Sequence, residues 1–202
     1  LFVRKLIKKA LLEISDFDGP ILFPEHHLSH AASAFYPSPY DNAAILTCDG
    51  VGEWTTTSIC HGIQKDIRII KEMRFPHSLG LLYSSFTYFC GFKVNSGEYK
   101  LMGLAPYGDP LSDETLSFKR KIYDQLIDLR EDGSFILNMK YFSFVTQFSM
   151  TNDIAWENLF GLQRRDQESE FNQSYMNLAL AIQEVTEEIM IKLVRTAKDL
   201  TG

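Results

Sequence analysis

Three of the five histidines in the 202-residue chain fall in one stretch, Glu25-His26-His27-Leu28-Ser29-His30, followed by the alanine-rich run to Phe35. His26 and His30 are four residues apart. On a helix that spacing puts both imidazoles on one face, one turn apart, where they can share a metal ion. A second stretch, Cys48-Asp49-Gly50-Val51-Gly52-Glu53, sets a carboxylate at the end of an apolar run and before a glycine-rich turn. His26, His30 and Asp49 together are ligands suited to iron, zinc or manganese. The turn Gly50, Val51, Gly52, Glu53 can bring backbone N–H groups close to a phosphate. Each feature also has a plainer reading. Paired histidines occur on surfaces and in cores, aspartate starts turns, and glycines close hairpins. His27 points to another side of the helix and is read as structural, or as a support for the ligands.

A third stretch runs from Asn95 to Gly108 and contains Lys100 among three glycines, Gly97, Gly103 and Gly108. A lysine on flexible backbone suits a phosphate or carboxylate. The alternative is a solvated loop lysine. His61 reads as a turn residue, and Ser78 as the N-cap of a following buried helix.

The elements that must position these residues follow from pattern. Residues 1–14 read as an amphipathic helix packed on the domain, with Arg4, Lys5, Lys8 and Lys9 on its polar side. Ile21 to Phe23 reads as a short strand, and the histidine segment through Tyr36 as a helix. Ala43–Cys48, Trp54–Cys60 and Asp66–Met73 read as three consecutive antiparallel strands, with Ile67, Ile69 and Lys71 sharing a face. Leu79–Phe89 is a buried helix. Residues 93–110 form a loop with a short helical turn, and Ser112–Leu129 an amphipathic helix. Gly133–Val145 is an irregular strand pair, and Ile154–Gly161 a short helix. The last helix spans about Phe171 to Leu200, with an apolar stripe through Leu178, Ile182, Val185, Ile189 and Leu193. The fold class is α/β, a mixed sheet with antiparallel hairpin strands flanked by helices.

Composition narrows the partners. The net charge is −6 with no long basic stripe, so nucleic acid is not expected. No apolar run is long enough for a bilayer span, so no membrane association is expected. Three widely spaced cysteines in apolar settings argue against a disulfide framework and for a reducing, cytoplasmic setting. The chain lacks an initiating Met, and both ends fall at helices, so it reads as a piece of a larger protein, with residues 109–170 as a more polar inserted subdomain.

Four segments in register carry a family resemblance: His26-His27-Leu28-Ser29-His30-Ala31-Ala32-Ser33-Ala34-Phe35, Asp49-Gly50-Val51-Gly52-Glu53-Trp54-Thr55-Thr56, Ser78-Leu79-Gly80-Leu81-Leu82-Tyr83, and Glu98-Tyr99-Lys100-Leu101-Met102-Gly103-Leu104-Ala105-Pro106-Tyr107-Gly108. Together they resemble the NodU/CmcH-type O-carbamoyltransferases. The resemblance implies part of an actin-like ATPase (ASKHA-type) fold. It implies formation of a carbamoyl-adenylate from carbamoyl phosphate and ATP, and transfer of the carbamoyl group to the hydroxyl of an acceptor compound. It implies Fe(II) or a similar divalent metal on His26, His30 and Asp49, with Gly50 to Glu53 facing the nucleotide phosphates. Lys100 is assigned to an anionic group of carbamoyl phosphate or ATP. The family chain is longer, so a further aspartate ligand and the adenosine-binding segment are expected outside these residues. The face meeting the missing lobe is then apolar and open to self-association. Two alternatives stay open: a relative of the tRNA threonylcarbamoyl-transfer enzymes, and a non-catalytic metal- or nucleotide-binding module.

Overall fold

A computed structural model describes residues 2–167 and 169–202. The chain forms α1 (Phe2–Leu12) and α2 (His26–Phe35), then β1 (Asn42–Gly52), β2 (Thr55–Ile63) and β3 (Asp66–Arg74). After these come α3 (Leu79–Phe89), α4 (Glu98–Leu104), α5 (Asp113–Lys121), β4 (Ile127–Leu129), β5 (Phe135–Leu137), α6 (Asp153–Phe160) and α7 (Gln173–Thr201). β1, β2 and β3 make an antiparallel sheet in that order, and β4 and β5 a separate hairpin. The mixed α/β class with antiparallel strands and flanking helices is as expected from the sequence.

Strand alternation divides the sheet between two cores. On one face Ile45 and Cys60 are neighbours in the ladder and bury Ala31 and Phe35 of α2, with Ile67 and Ile69 beside them. Gly62 makes room here, since a Cβ on it would lie 2.6 Å from the Phe35 ring. On the other face Leu46 and Met73 join a larger core built from α3, α5, the β4–β5 hairpin, α6 and α7. Trp156 is fully buried at its centre, with ring centroids 4.7 Å from Phe86 and 5.1 Å from Phe89. Its indole N–H donates to the Tyr141 carbonyl at 2.7 Å. Buried Arg165 ties the chain after α6 to the end of α3. Its Nε donates to the Cys90 carbonyl at 2.6 Å, and its guanidinium lies 3.8 Å from the Phe171 ring centroid.

Several expectations are corrected. Ile21 to Phe23 forms no strand: Pro20 and Pro24 bracket it, and Leu22 and Phe23 stand exposed without a partner edge. Residues 112–129 are not one helix. The helical pattern breaks at a π turn, Ile122–Leu126, and Ile127 goes extended to pair with Leu137. The hairpin partner of β5 therefore precedes Gly133. Helix α1 buries none of its residues, and Phe2, Val3 and Leu6 are exposed. Leu1, read as part of that helix, lies outside the described residues. A register shift between Ile59 and Cys60 turns Lys71 off the face of Ile67 and Ile69. Lys71 instead reaches Asp132 at 3.1 Å. The central strand β2 is buried on both faces from Thr56 to Cys60, because helices cover the sheet from both sides.

Candidate metal centre

The site forms where α2 crosses the end of β1. Ile45, Thr47 and Asp49 are alternate residues of one strand and face α2. Ile45 packs, Thr47 tethers, and Asp49 supplies a carboxylate. His27 Nδ1 lies 2.6 Å from Thr47 Oγ1, which in turn lies 2.6 Å from Ser58 Oγ on β2. That buried chain fixes the rotation of α2 and brings His26 and His30 over Asp49. Burial holds His27 below the ordinary histidine range, and its Nε2 faces the Thr55 backbone without a well-formed hydrogen bond.

His26 Nε2 lies 2.7 Å from Asp49 Oδ2 and 2.9 Å from His30 Nε2. His30 Nε2 is 3.4 Å from the same carboxylate oxygen. These three atoms can surround an ion. A neutral imidazole nitrogen either donates or accepts. His26 Nε2 therefore cannot donate to Asp49 and accept from His30 at once, and one close contact always lacks a hydrogen. A cation among the three lone pairs removes that conflict. Zinc-type bond lengths with tetrahedral angles place ligand atoms about 3.3 Å apart, so the observed triangle needs to open only slightly. The donor set fits a divalent metal.

Asp49 is prepared for the role. Burial opposes its charge, but bonds from His26 and from the Gly50 N–H, 2.7 Å from Oδ1, outweigh it and hold the carboxyl below its ordinary value. Gly52 allows the histidines to approach. A Cβ on it would fall 2.3 Å from His26 Cδ2 and 2.9 Å from His27 Cδ2. The chain reverses later than expected: β1 continues to Gly52, which pairs with Thr55, and the two-residue turn is Glu53-Trp54, with Glu53 at φ 59°. The Gly50 N–H is occupied by Asp49 itself.

The sequence profile described as Carbamoyltransferase N-terminus matches residues 1–201. The chain belongs to this carbamoyltransferase family. The uncharacterized protein sll1178 of Synechocystis is 51% identical over all of this chain and 32% of its own length. Nodulation protein NolNO of Sinorhizobium fredii is 30% identical over 90% of this chain and 24% of its own. Nodulation protein NolO of Bradyrhizobium diazoefficiens is 27% identical over 88% of this chain and 29% of its own. The chain thus spans about a quarter to a third of the length of these three relatives. The resemblance to NodU-type carbamoyltransferases holds.

Two cavities adjoin the trio in this carbamoyltransferase domain. One of about 500 Å³ opens beside His26 and His27, between the β1–β2 turn and β3, and is lined by Glu53, Trp54, Glu72 and Arg74. The other, about 680 Å³, lies behind Asp49, Gly50 and Val51, against α3, Glu98 and α7. Lys100 lines neither; it is exposed on α4, a helix rather than a flexible loop. Glu98 of the same helix turns inward, accepting from Ser84 Oγ at 2.8 Å and from the N–H groups of Asn95 and Gly97. Among the described residues no helix is long and apolar enough to cross a membrane.

Proposed function

We propose that this domain holds one divalent cation, Fe(II) or a close analogue, on His26 Nε2, His30 Nε2 and Asp49 Oδ2. In the longer protein it serves O-carbamoyl transfer. Water cleaves carbamoyl phosphate to carbamate and phosphate, the carbamate displaces pyrophosphate from ATP to give a carbamoyl-adenylate, and the carbamoyl group passes to an acceptor hydroxyl with release of AMP. The convergence of three ligand atoms within a carbamoyltransferase-family chain carries the reading. The bound cation supplies Lewis acidity and neutralises phosphate charge. The chain's own groups do the rest. His27 and Thr47 set the pitch of the histidine helix, and the Gly50 N–H orients the carboxylate. The segment from Gly50 to Glu53 borders the space in which nucleotide phosphates sit. Lys100 meets an anionic group of ATP or carbamoyl phosphate. The antiparallel sheet, followed by helices covering its far face, suits one part of an actin-like ATPase fold. Three unpaired thiols suit a reducing cytoplasm.

Cobalt(II) titration of the longer protein, followed by visible absorption, tests the site. One equivalent is expected to bind, and His26→Ala/His30→Ala is expected to abolish it. Undiminished binding by the double variant overturns the ligand assignment. In the longer protein, pyrophosphate release from ATP should require carbamoyl phosphate; release independent of it overturns the chemistry.

A further inference from the structure

We propose that Ser78 is a positioning residue for the cation site: its hydroxyl fixes the Asp49–Gly50 backbone and thereby aims the Asp49 carboxylate at His26 and His30. The inference rests on the metal reading above.

Ser78 is fully buried and caps α3, accepting from the Leu81 N–H at 3.0 Å. Capping needs only the oxygen as acceptor, which leaves the hydroxyl hydrogen free. Here that hydrogen goes to β1: Oγ lies 2.6 Å from the Gly50 carbonyl and 3.1 Å from the Asp49 carbonyl. Gly80 lets the first turn of α3 press on the same peptide, since a Cβ on it would sit 2.8 Å from the Asp49 carbonyl oxygen and from Gly50 N. The peptide is held from its other side as well, because the Gly50 N–H is bound by Asp49 Oδ1. The Gly50 N–H holds Oδ1 while Ser78 holds the adjoining carbonyls, which leaves Oδ2 facing the histidines. Ser78 is itself anchored through its neighbour. Thr56 donates to the His77 carbonyl at 2.6 Å, and His77 Nδ1 accepts the Leu137 N–H at 3.1 Å. A hydrogen-bonded path therefore runs from β2 and β5 to the metal ligand. Groups that orient metal ligands from behind typically change affinity by about 10–100-fold when removed.

The test compares Ser78→Ala with Ser112→Ala in cobalt(II) titrations of the longer protein. Ser112 caps α5 in the same way, accepting from Thr115 N–H at 3.1 Å, and does not belong to the cation trio or its two cavities. Ser78→Ala should weaken cobalt binding about tenfold and alter its visible spectrum, whereas Ser112→Ala should lower stability with affinity unchanged. Should the alanine variant fail to fold, Ser78→Cys fills the space with a poor donor and should show the same loss. Wild-type affinity in the Ser78 variants overturns this proposal alone. Absence of cobalt binding by the longer wild-type protein overturns the metal reading and this proposal with it.

Discussion

The imidazole of His26 lies against the bare backbone of Gly52, in the place a Cβ would take. Gly52→Ala should therefore push the ring off Asp49 and also press on buried His27. Overpacking of this kind costs about 1–3 kcal/mol. Urea unfolding of the variant should show that loss, together with weaker cobalt binding. Wild-type values for both would mean that the hairpin absorbs the methyl group.

Acid should destabilise the domain through buried His27 and half-buried His77. Burial lowers the His27 and His77 values below the ordinary one, and His77 Nδ1 accepts a backbone N–H only while unprotonated. The unfolded chain then binds protons first as pH drops. Stability is full above about pH 6.5 and is lost as pH falls through that value toward the folded-state values. Asp49, also lowered, stays charged through this window, and its contribution is lost only in stronger acid. Urea midpoints at pH 7.5, 6 and 5 should fall in that order, with a shallower slope for His77→Asn. A flat profile would refute the assignment.

Trp156 reports on the larger core. It is fully buried, packed edge-on or tilted against Phe86, Phe89 and Phe160, while Trp54 is 72% exposed. Trp156→Ala should cost about 3–5 kcal/mol and leave only red-shifted emission. Trp54→Phe should leave blue-shifted emission and near-native stability. Blue emission surviving in Trp156→Ala would contradict this packing.

Lys100→Met separates charge from packing. The side chain is exposed on α4, so unfolding free energy should stay within about 0.5 kcal/mol of wild type. In the longer protein turnover should fall several-fold if the ammonium meets an anionic substrate group. Unchanged kinetics would leave Lys100 a surface residue.

The sheet, the histidine helix and α7 were legible because their apolar periods run unbroken between clear turn signals. The grouping of His26, His30 and Asp49 was legible for the same reason: a four-residue helical step and a strand end are local patterns. The region around Ile122 misled because Phe118, Ile122 and Leu126 continue a helical spacing. The switch to a strand at Ile127 is decided by its ladder partner Leu137, ten residues away in sequence. Ser78 carried a recognisable capping signal, but its second contact joins residues 28 positions apart, which no local pattern reports. The exposed apolar side of α1 was unreadable because amphipathicity shows that a face is apolar, not what lies against it.

Strand β1 works as a reading frame with a two-residue step. Ile45, Thr47 and Asp49 point to α2, and the residues between them, Leu46 and Cys48, point away. Inserting or deleting one residue between Thr47 and Asp49 would deliver Cys48 or Gly50 to the histidines and turn the carboxylate toward α7. The site is thus intolerant of a one-residue length change beside Cys48, although that side chain is itself exposed. Paired changes of two residues restore the frame and would keep Asp49 on the face of α2.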